Sequence, residues 1–217
     1  FEYHIGARLP AASVARNPVK VPRDTPFAWP ETTNPLRLAC VARMQARPKG
    51  HDLLLQALAD PCWKNRPVHL SFFGDGENRR GMELLAHMLG ISDRVCFHEH
   101  VESVAEIWRD HHMIAQPSRN EGMPLSLVEA LMYGRPALAT DVAGHTEIIT
   151  DGVNGFIAEA PTVRHIGAAL ERVWTHRDQL PQMAKTAYER IRKDIPPHPV
   201  QEFASQILAA CQSANRT

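Results

Sequence analysis

From Leu36 onward, short apolar runs alternate with segments whose apolar residues recur every three or four positions. Leu36–Ala42 (LRLACVA), Val68–Phe73 (VHLSFF), Arg94–Phe97, Met113–Ala115 and Pro136–Thr140 read as strands, because each is a short apolar run of the kind that buried strands show. Between them the spacing predicts helices over His51–Asp60, Glu77–Leu89, Val101–Arg109 and Leu125–Tyr133. After Gly155–Ala158 the chain reads as helical over Val163–His176 and Leu180–Lys193. Ile195-Pro196-Pro197 breaks that run, and Val200–Gln212 forms a last helix with Val200, Phe203, Ile207, Leu208 and Cys211 on one side. Strands alternating with helices imply βαβ units and parallel pairing, hence an α/β fold with a Rossmann-like, doubly wound sheet. The stretch before Leu36 differs: Pro10, Pro18, Pro22, Pro26, Pro30 and Pro35 restrict themselves and their predecessors to extended backbone. Residues 1–35 therefore read as a linker.

Composition adds little to this picture. Lysine and arginine number 24, aspartate and glutamate 24, so no charge surplus argues for nucleic acid. Hydrophobic residues make up 44% of the chain, which suits a globular core, and no apolar run approaches the ~20 residues of a membrane span. Cys40, Cys62, Cys96 and Cys211 have no zinc-like spacing. Cys40 and Cys96 fall inside strand-like runs, where a free thiol acts as a small core hydrophobe, and unpaired thiols fit a cytoplasmic location. The chain starts at Phe1 and shows no signal-peptide pattern, as if cut from something longer.

Chemistry concentrates in two stretches. In Ser118–Pro136 (SRNEGMPLSLVEALMYGRP), Glu121 and Glu129 stand eight residues apart around Gly122-Met123-Pro124. Proline suits the first turn of a helix, so the amides of Gly122, Met123, Leu125 and Ser126 are expected to be free at the carboxyl edge of the sheet. Such a helix start is an anion site, and that edge is where open α/β folds bind ligands. Glu129, about two turns in, could accept hydrogen bonds from sugar hydroxyls. The second stretch, Arg43–Gly50 (RMQARPKG), follows the first strand, and two cations there, Arg43 and Lys49, can offset a diphosphate without a metal.

Taken in order, these pieces resemble the C-terminal, nucleotide-sugar-binding domain of a GT-B-fold, family-4-type retaining glycosyltransferase (glycosyl transferases group 1). Asn17-Pro18-Val19 resembles that family's linker, Val41-Ala42-Arg43 its "VGRL", Gly74-Asp75-Gly76-Glu77 its "GDGP", and Leu89–Phe97 its "LGLxDRVxF". Glu121–Glu129 matches E-x7-E, Thr140–Gly144 with Glu147 matches "TDVGGxxE", and Asp151–Gly155 matches "DGxNG". The resemblance implies one half of a GT-B fold: linker 1–35, donor domain 36–195, and a C-terminal helix over 196–217 directed toward a missing N-terminal domain. It implies that Arg43 and Lys49 hold the donor diphosphate, that Glu121 contacts the transferred hexose, and that Glu129 binds ribose hydroxyls. It further implies amide contacts from Gly122, Met123, Leu125 and Ser126, a base site at His98–Val101, and no metal or other cofactor. The partners would be a nucleotide sugar, the N-terminal domain and an unidentified acceptor. Peripheral membrane attachment would reside in the missing half. Two departures stand out: Ala42 and Ala143 occupy positions where the family usually has glycine, close to a ligand.

Other readings compete. Ser118 and Arg119 fix a loop, or Ser118 touches the sugar. Gly74-Asp75-Gly76 lacks G-x-G-x-x-G and reads as a tight turn, which disfavours a plain Rossmann dehydrogenase. His98, His100, His111 and His112 lack the spacing that brings ligands to one helix face. A nucleotide-sugar-binding module without transfer activity and a sugar-nucleotide epimerase share the architecture.

Overall fold

A computed structural model describes Val19, Val21, residues 26–31 and residues 34–214. Asn17 and Pro18, and most of the expected linker, lie outside the described residues. Residues 20–194 form one compact unit. Among the described residues its six strands are β1 (Leu36–Val41), β2 (Val68–Phe73), β3 (Val95–His98), β4 (Met113–Gln116), β5 (Ala137–Thr140) and β6 (Gly155–Ala158). They pair in parallel in the order β3-β2-β1-β4-β5-β6. This is a Rossmann-like α/β sheet, and its strand order reverses between β1 and β4. All residues of β4 and β5 are buried, as expected of central parallel strands covered on both faces.

The helices of this unit are α1 (Ala46–Lys49), α2 (His51–Leu58), α3 (Arg79–Met88), α4 (Val104–Asp110), α5 (Leu125–Met132), α6 (His145–Ile148), α7 (Val163–Thr175) and α8 (Leu180–Asp194). The β1-α2-β2 and β4-α5-β5 crossovers run in opposite directions from the sheet centre. Right-handed connections therefore place α2 and α5 on opposite faces. There α2 packs against α7 and α5 against α8. The main core cluster packs one face of the sheet against α2 and α7, through Leu38, Cys40, Leu54, Phe72, Leu138 and Leu170, each at most 1% exposed. Burial pushes the Cys40 thiol up to about 12, which makes it the inert core residue expected.

Cys96 differs from expectation. It lies in β3, but β3 is the edge strand and Cys96 is exposed. Three elements also go beyond the sequence reading: α1 forms inside the loop after β1, α6 forms after β5, and Gly155–Ala158 is a sixth strand beside β5.

Residues 26–29 pack on the α/β unit. Phe27 donates its amide to the Tyr133 carbonyl at 3.3 Å, and its ring meets that of Tyr133 at 4.6 Å. Arg135 is fully buried. It donates to the carbonyls of Trp108 (2.8 Å), Gly134 (3.0 Å), Ala28 (2.8 Å) and Phe27 (3.4 Å). The final helix, α9 (Pro199–Ala214), belongs to a second unit. Its Val200, Phe203, Ile207 and Leu208 are exposed. Among the described residues no helix is long and apolar enough to cross a membrane.

Candidate functional site

Parallel pairing brings the carboxyl ends of all six strands to one edge of the sheet. The loops after β1 and β4 leave that edge side by side and diverge to opposite faces, which opens a crevice between them. The β1 loop is held from one side by the turn after β2: Ala42 N donates to Phe73 O, Met44 N to Asp75 O, and Asn78 Oδ1 accepts from Ala46 N. Gly74 (φ 135°) makes this approach possible, since a Cβ there would stand 2.3 Å from Ala42 O. The Gly74–Gly76 segment is thus the tight turn expected.

From the other side the β1 loop meets the β4 loop. Gly50, at φ 69°, ends α1 in the left-handed region and starts α2. A Cβ on it would lie 2.0 Å from Pro117 O, so only glycine lets these backbones touch. The amides of Arg119 and Asn120 donate to Pro48 O. The Arg119 guanidinium forks onto Asp52 at 2.8 and 2.6 Å and reaches Ala46 O. Burial alone would raise the Asp52 carboxyl; the hydrogen-bonded Arg119 outweighs it and holds that carboxyl below its usual range. Arg119 is a loop-fixing residue.

Lys49 and Glu121, 72 positions apart, meet across this junction at 2.7 Å. Glu121 Oε1 also accepts from Ser118 Oγ (2.9 Å) and Gln116 Nε2 (3.2 Å). The Glu121 side chain is 7% exposed and that of Lys49 23%. Ser118 is fully buried with its hydroxyl aimed at Glu121, so it bears on the crevice through that carboxylate. Thr140 Oγ1 donates to Ser118 O, and His145 Nδ1 bonds Thr140 O at 2.8 Å. The Gly144 amide donates to Gly122 O and draws the β5 loop against the β4 loop.

The helix α5 starts at Leu125 after Pro124. The amides of Leu125 and Ser126 precede any acceptor inside the helix, so they remain available at the crevice, with Gly122 and Met123 just before them. Glu129 lies further along α5, half-buried, and burial raises its carboxyl. No hydrogen bond or ion pair to it is found among the described residues, so it is a carboxylate in search of donors. Arg43 follows β1, is exposed, and makes no ion pair among the described residues. His98 ends β3, two strands from β1, and stacks on Phe73 at 4.4 Å and 8°. Arg79 donates to the carbonyls of Phe97 and His98 and ties down the backbone that carries that ring.

Sequence reasoning missed Gln116 and Arg135. The one available signal for Gln116 was an amide ending an otherwise apolar strand. Ala143, one of the two departures from glycine, carries φ 41°; it is exposed, and its distinguishing feature is backbone conformation rather than crowding. Among the described residues no group of three His, Cys, Asp or Glu side chains is placed to hold a metal.

The profile of the family described as "Glycosyl transferases group 1" matches residues 23–190. The D-inositol 3-phosphate glycosyltransferase of Gordonia bronchialis is 30% identical over 177 residues, which are 76% of this chain and 38% of that protein. The chain thus spans well under half the length of this curated relative. Among solved structures, Anabaena Alr3699/HepE in complex with UDP superposes with a TM-score of 0.72 at 20% identity, over 81% of this chain and 49% of that one. The C-terminal domain of a glycosyl transferase group 1 family protein (LpcC) from Francisella tularensis gives 0.64 at 19% identity, over 76% and 87%. With the profile covering most of the α/β unit and the fold shared at that level, the chain belongs to the glycosyl transferases group 1 family.

Proposed function

We propose that this chain is the donor-binding, C-terminal half of a retaining glycosyltransferase, which moves a hexose from a nucleoside-diphosphate sugar to an acceptor. The observation that carries this reading is the meeting of Lys49 and Glu121 at 2.7 Å across the β1–β4 junction, beside the start of α5. A cation, a fixed carboxylate and free helix-start amides are the three groups that a sugar diphosphate needs.

In this reading Lys49 and Arg43 bind the diphosphate and stabilise the negative charge that grows on it as the glycosidic bond breaks. The amides of Gly122, Met123, Leu125 and Ser126 add their dipoles to the same oxygens. Glu121 accepts hydrogen bonds from the hexose hydroxyls and orients the ring, and Glu129 accepts them from the ribose. His98, stacked on Phe73, lies against the base. Retention follows from attack on the face the diphosphate leaves, with a phosphate oxygen taking the acceptor proton; no protein nucleophile, metal or other cofactor takes part. Residues 1–35 link to an N-terminal domain, 36–195 bind the donor, and the exposed apolar side of α9 is covered by that domain. The acceptor and any peripheral attachment at the inner face of a membrane belong to the N-terminal half; the protein works in the cytoplasm.

Calorimetric titration of the chain with UDP, GDP, ADP and their hexose conjugates tests this. Micromolar to millimolar binding of one nucleotide series is expected, weakened about tenfold or more by Glu129→Ala. A folded chain that binds none of them overturns the reading.

A further inference from the structure

Gln116 is 1% exposed, in a strand otherwise made of Met113, Ile114 and Ala115. A primary amide in such a place is costly unless its polar atoms are bonded. Its Nε2 donates to Glu121 Oε1 at 3.2 Å. That bond fixes the orientation of the amide, because the flipped rotamer would set a carbonyl oxygen against a carboxylate. The Gln116 Oε1 atom is left buried without a partner. Burying an amide with half its capacity unmet makes no sense as core packing alone; it makes sense if the other half has a task.

That task lies in the division of labour at Glu121. Gln116, Ser118 and Lys49 all donate to Oε1, and no donor to Oε2 is found among the described residues. Gln116 and Ser118 sit on or just after β4, at most 1% exposed, and cannot follow a ligand. Lys49 is 23% exposed and carries its charge on a flexible four-carbon stem, so it can turn to an arriving anion. A carboxylate tethered only by Lys49 would lose its anchor at the moment the diphosphate bound.

We propose that Gln116, together with Ser118, is a positioning residue that holds one oxygen of Glu121 so that the other is presented to the donor's sugar while Lys49 exchanges onto the diphosphate. This rests on the donor-site reading above. It predicts a split between two ligands: the sugar conjugate uses Glu121, whereas the bare nucleoside diphosphate uses Lys49 and the helix-start amides.

The test is titration of Gln116→Met, a near-isostere without the donor, against three pairs: UDP and UDP-glucose, GDP and GDP-mannose, ADP and ADP-glucose. For the pair that the wild type binds, the sugar conjugate should weaken about tenfold while the bare diphosphate stays within about twofold. Gln116→Glu should make sugar-conjugate binding pH-dependent, because two carboxylates at this distance share a proton. If Gln116→Met fails to fold, Ser118→Ala carries the same expected split. Equal weakening of both ligands, or no weakening of either, overturns the proposal and leaves the donor site standing. A wild type that binds no nucleotide at all removes the donor site and the proposal with it.

Discussion

Lys49 and Arg135 are both shielded cations, and they are neutralised in opposite ways. Lys49 keeps part of its surface in water and meets a carboxylate, Glu121. Arg135 is fully buried and bonds only backbone carbonyls, those of Trp108, Gly134, Ala28 and Phe27. Burial pulls its pKa down to about 10, which leaves it charged at neutral pH. The guanidinium can do this because its donors fan out in a plane, so several carbonyl dipoles replace one counter-ion. Backbone carbonyls are fixed by the fold, whereas one hydrogen bond to a side chain can be exchanged for a bond to a ligand. Arg135 is architecture that joins residues 27–28 to the end of α5; Lys49 is a contact that a diphosphate can take over.

That contrast fails or sharpens on measurable grounds. The largest effect is expected at Arg135. Arg135→Met leaves the buried carbonyls of Trp108 and Gly134 without a donor and unties those of Phe27 and Ala28 nearer the surface, and should lower stability by about 3–5 kcal/mol in chemical denaturation. An unchanged unfolding midpoint would erase the distinction between the two cations. Lys49→Met should show the reverse profile: nucleoside-diphosphate affinity falls by about tenfold or more, and stability changes by less than about 1 kcal/mol. A large loss of stability would mean that Lys49, too, is architecture.

A smaller effect comes from His51, whose ring is buried at the start of α2 beside this site with neither nitrogen bonded. Burial lowers its pKa from 6.5 to about 4, and nearby Asp52 opposes this only in part. Between those values the unfolded chain holds a proton that the folded chain refuses. Stability therefore falls as pH drops from 6.5 toward 4, by about 3 kcal/mol, and levels off below. His51→Phe should flatten this part of the pH profile. If the slope persists unchanged, another group produces it; His111, also buried and lowered to about 4, is the next to replace.

The sheet was legible because buried parallel strands such as Met113–Ala115 are short runs of apolar residues, a signal contained in the run itself. The strand Gly155–Ala158 escaped because four residues directly after a turn carry too little pattern. Cys96 was misplaced for a related reason: an apolar run shows a strand, and its place at the edge of the sheet is decided by pairing. Lys49 and Glu121 were each legible from local motifs, but their contact depends on β1 and β4 being neighbours. Arg135 was not legible at all, and Gln116 showed only as an amide ending an apolar strand. Gln116 meets the Glu121 carboxylate five residues on, across a loop whose path the sequence pattern does not state, and Arg135 reaches the Phe27 carbonyl more than a hundred residues back; no periodicity encodes either bond.

Ala143 carries a consequence for the order of the crevice rim. An alanine at φ 41° sits in a region that costs an ordinary residue about 1–2 kcal/mol and costs glycine almost nothing. The same methyl group removes backbone states from this segment in the unfolded chain, a narrowing worth about 0.4–1 kcal/mol. The two effects act on different ensembles. One raises the energy of the folded loop, and the other shrinks the number of ways the unfolded segment can arrange itself. With Gly144 bonded to Gly122, the rim is held in a conformation that is strained yet sparsely challenged. A glycine at this position would relax the loop and, in the same step, let it wander.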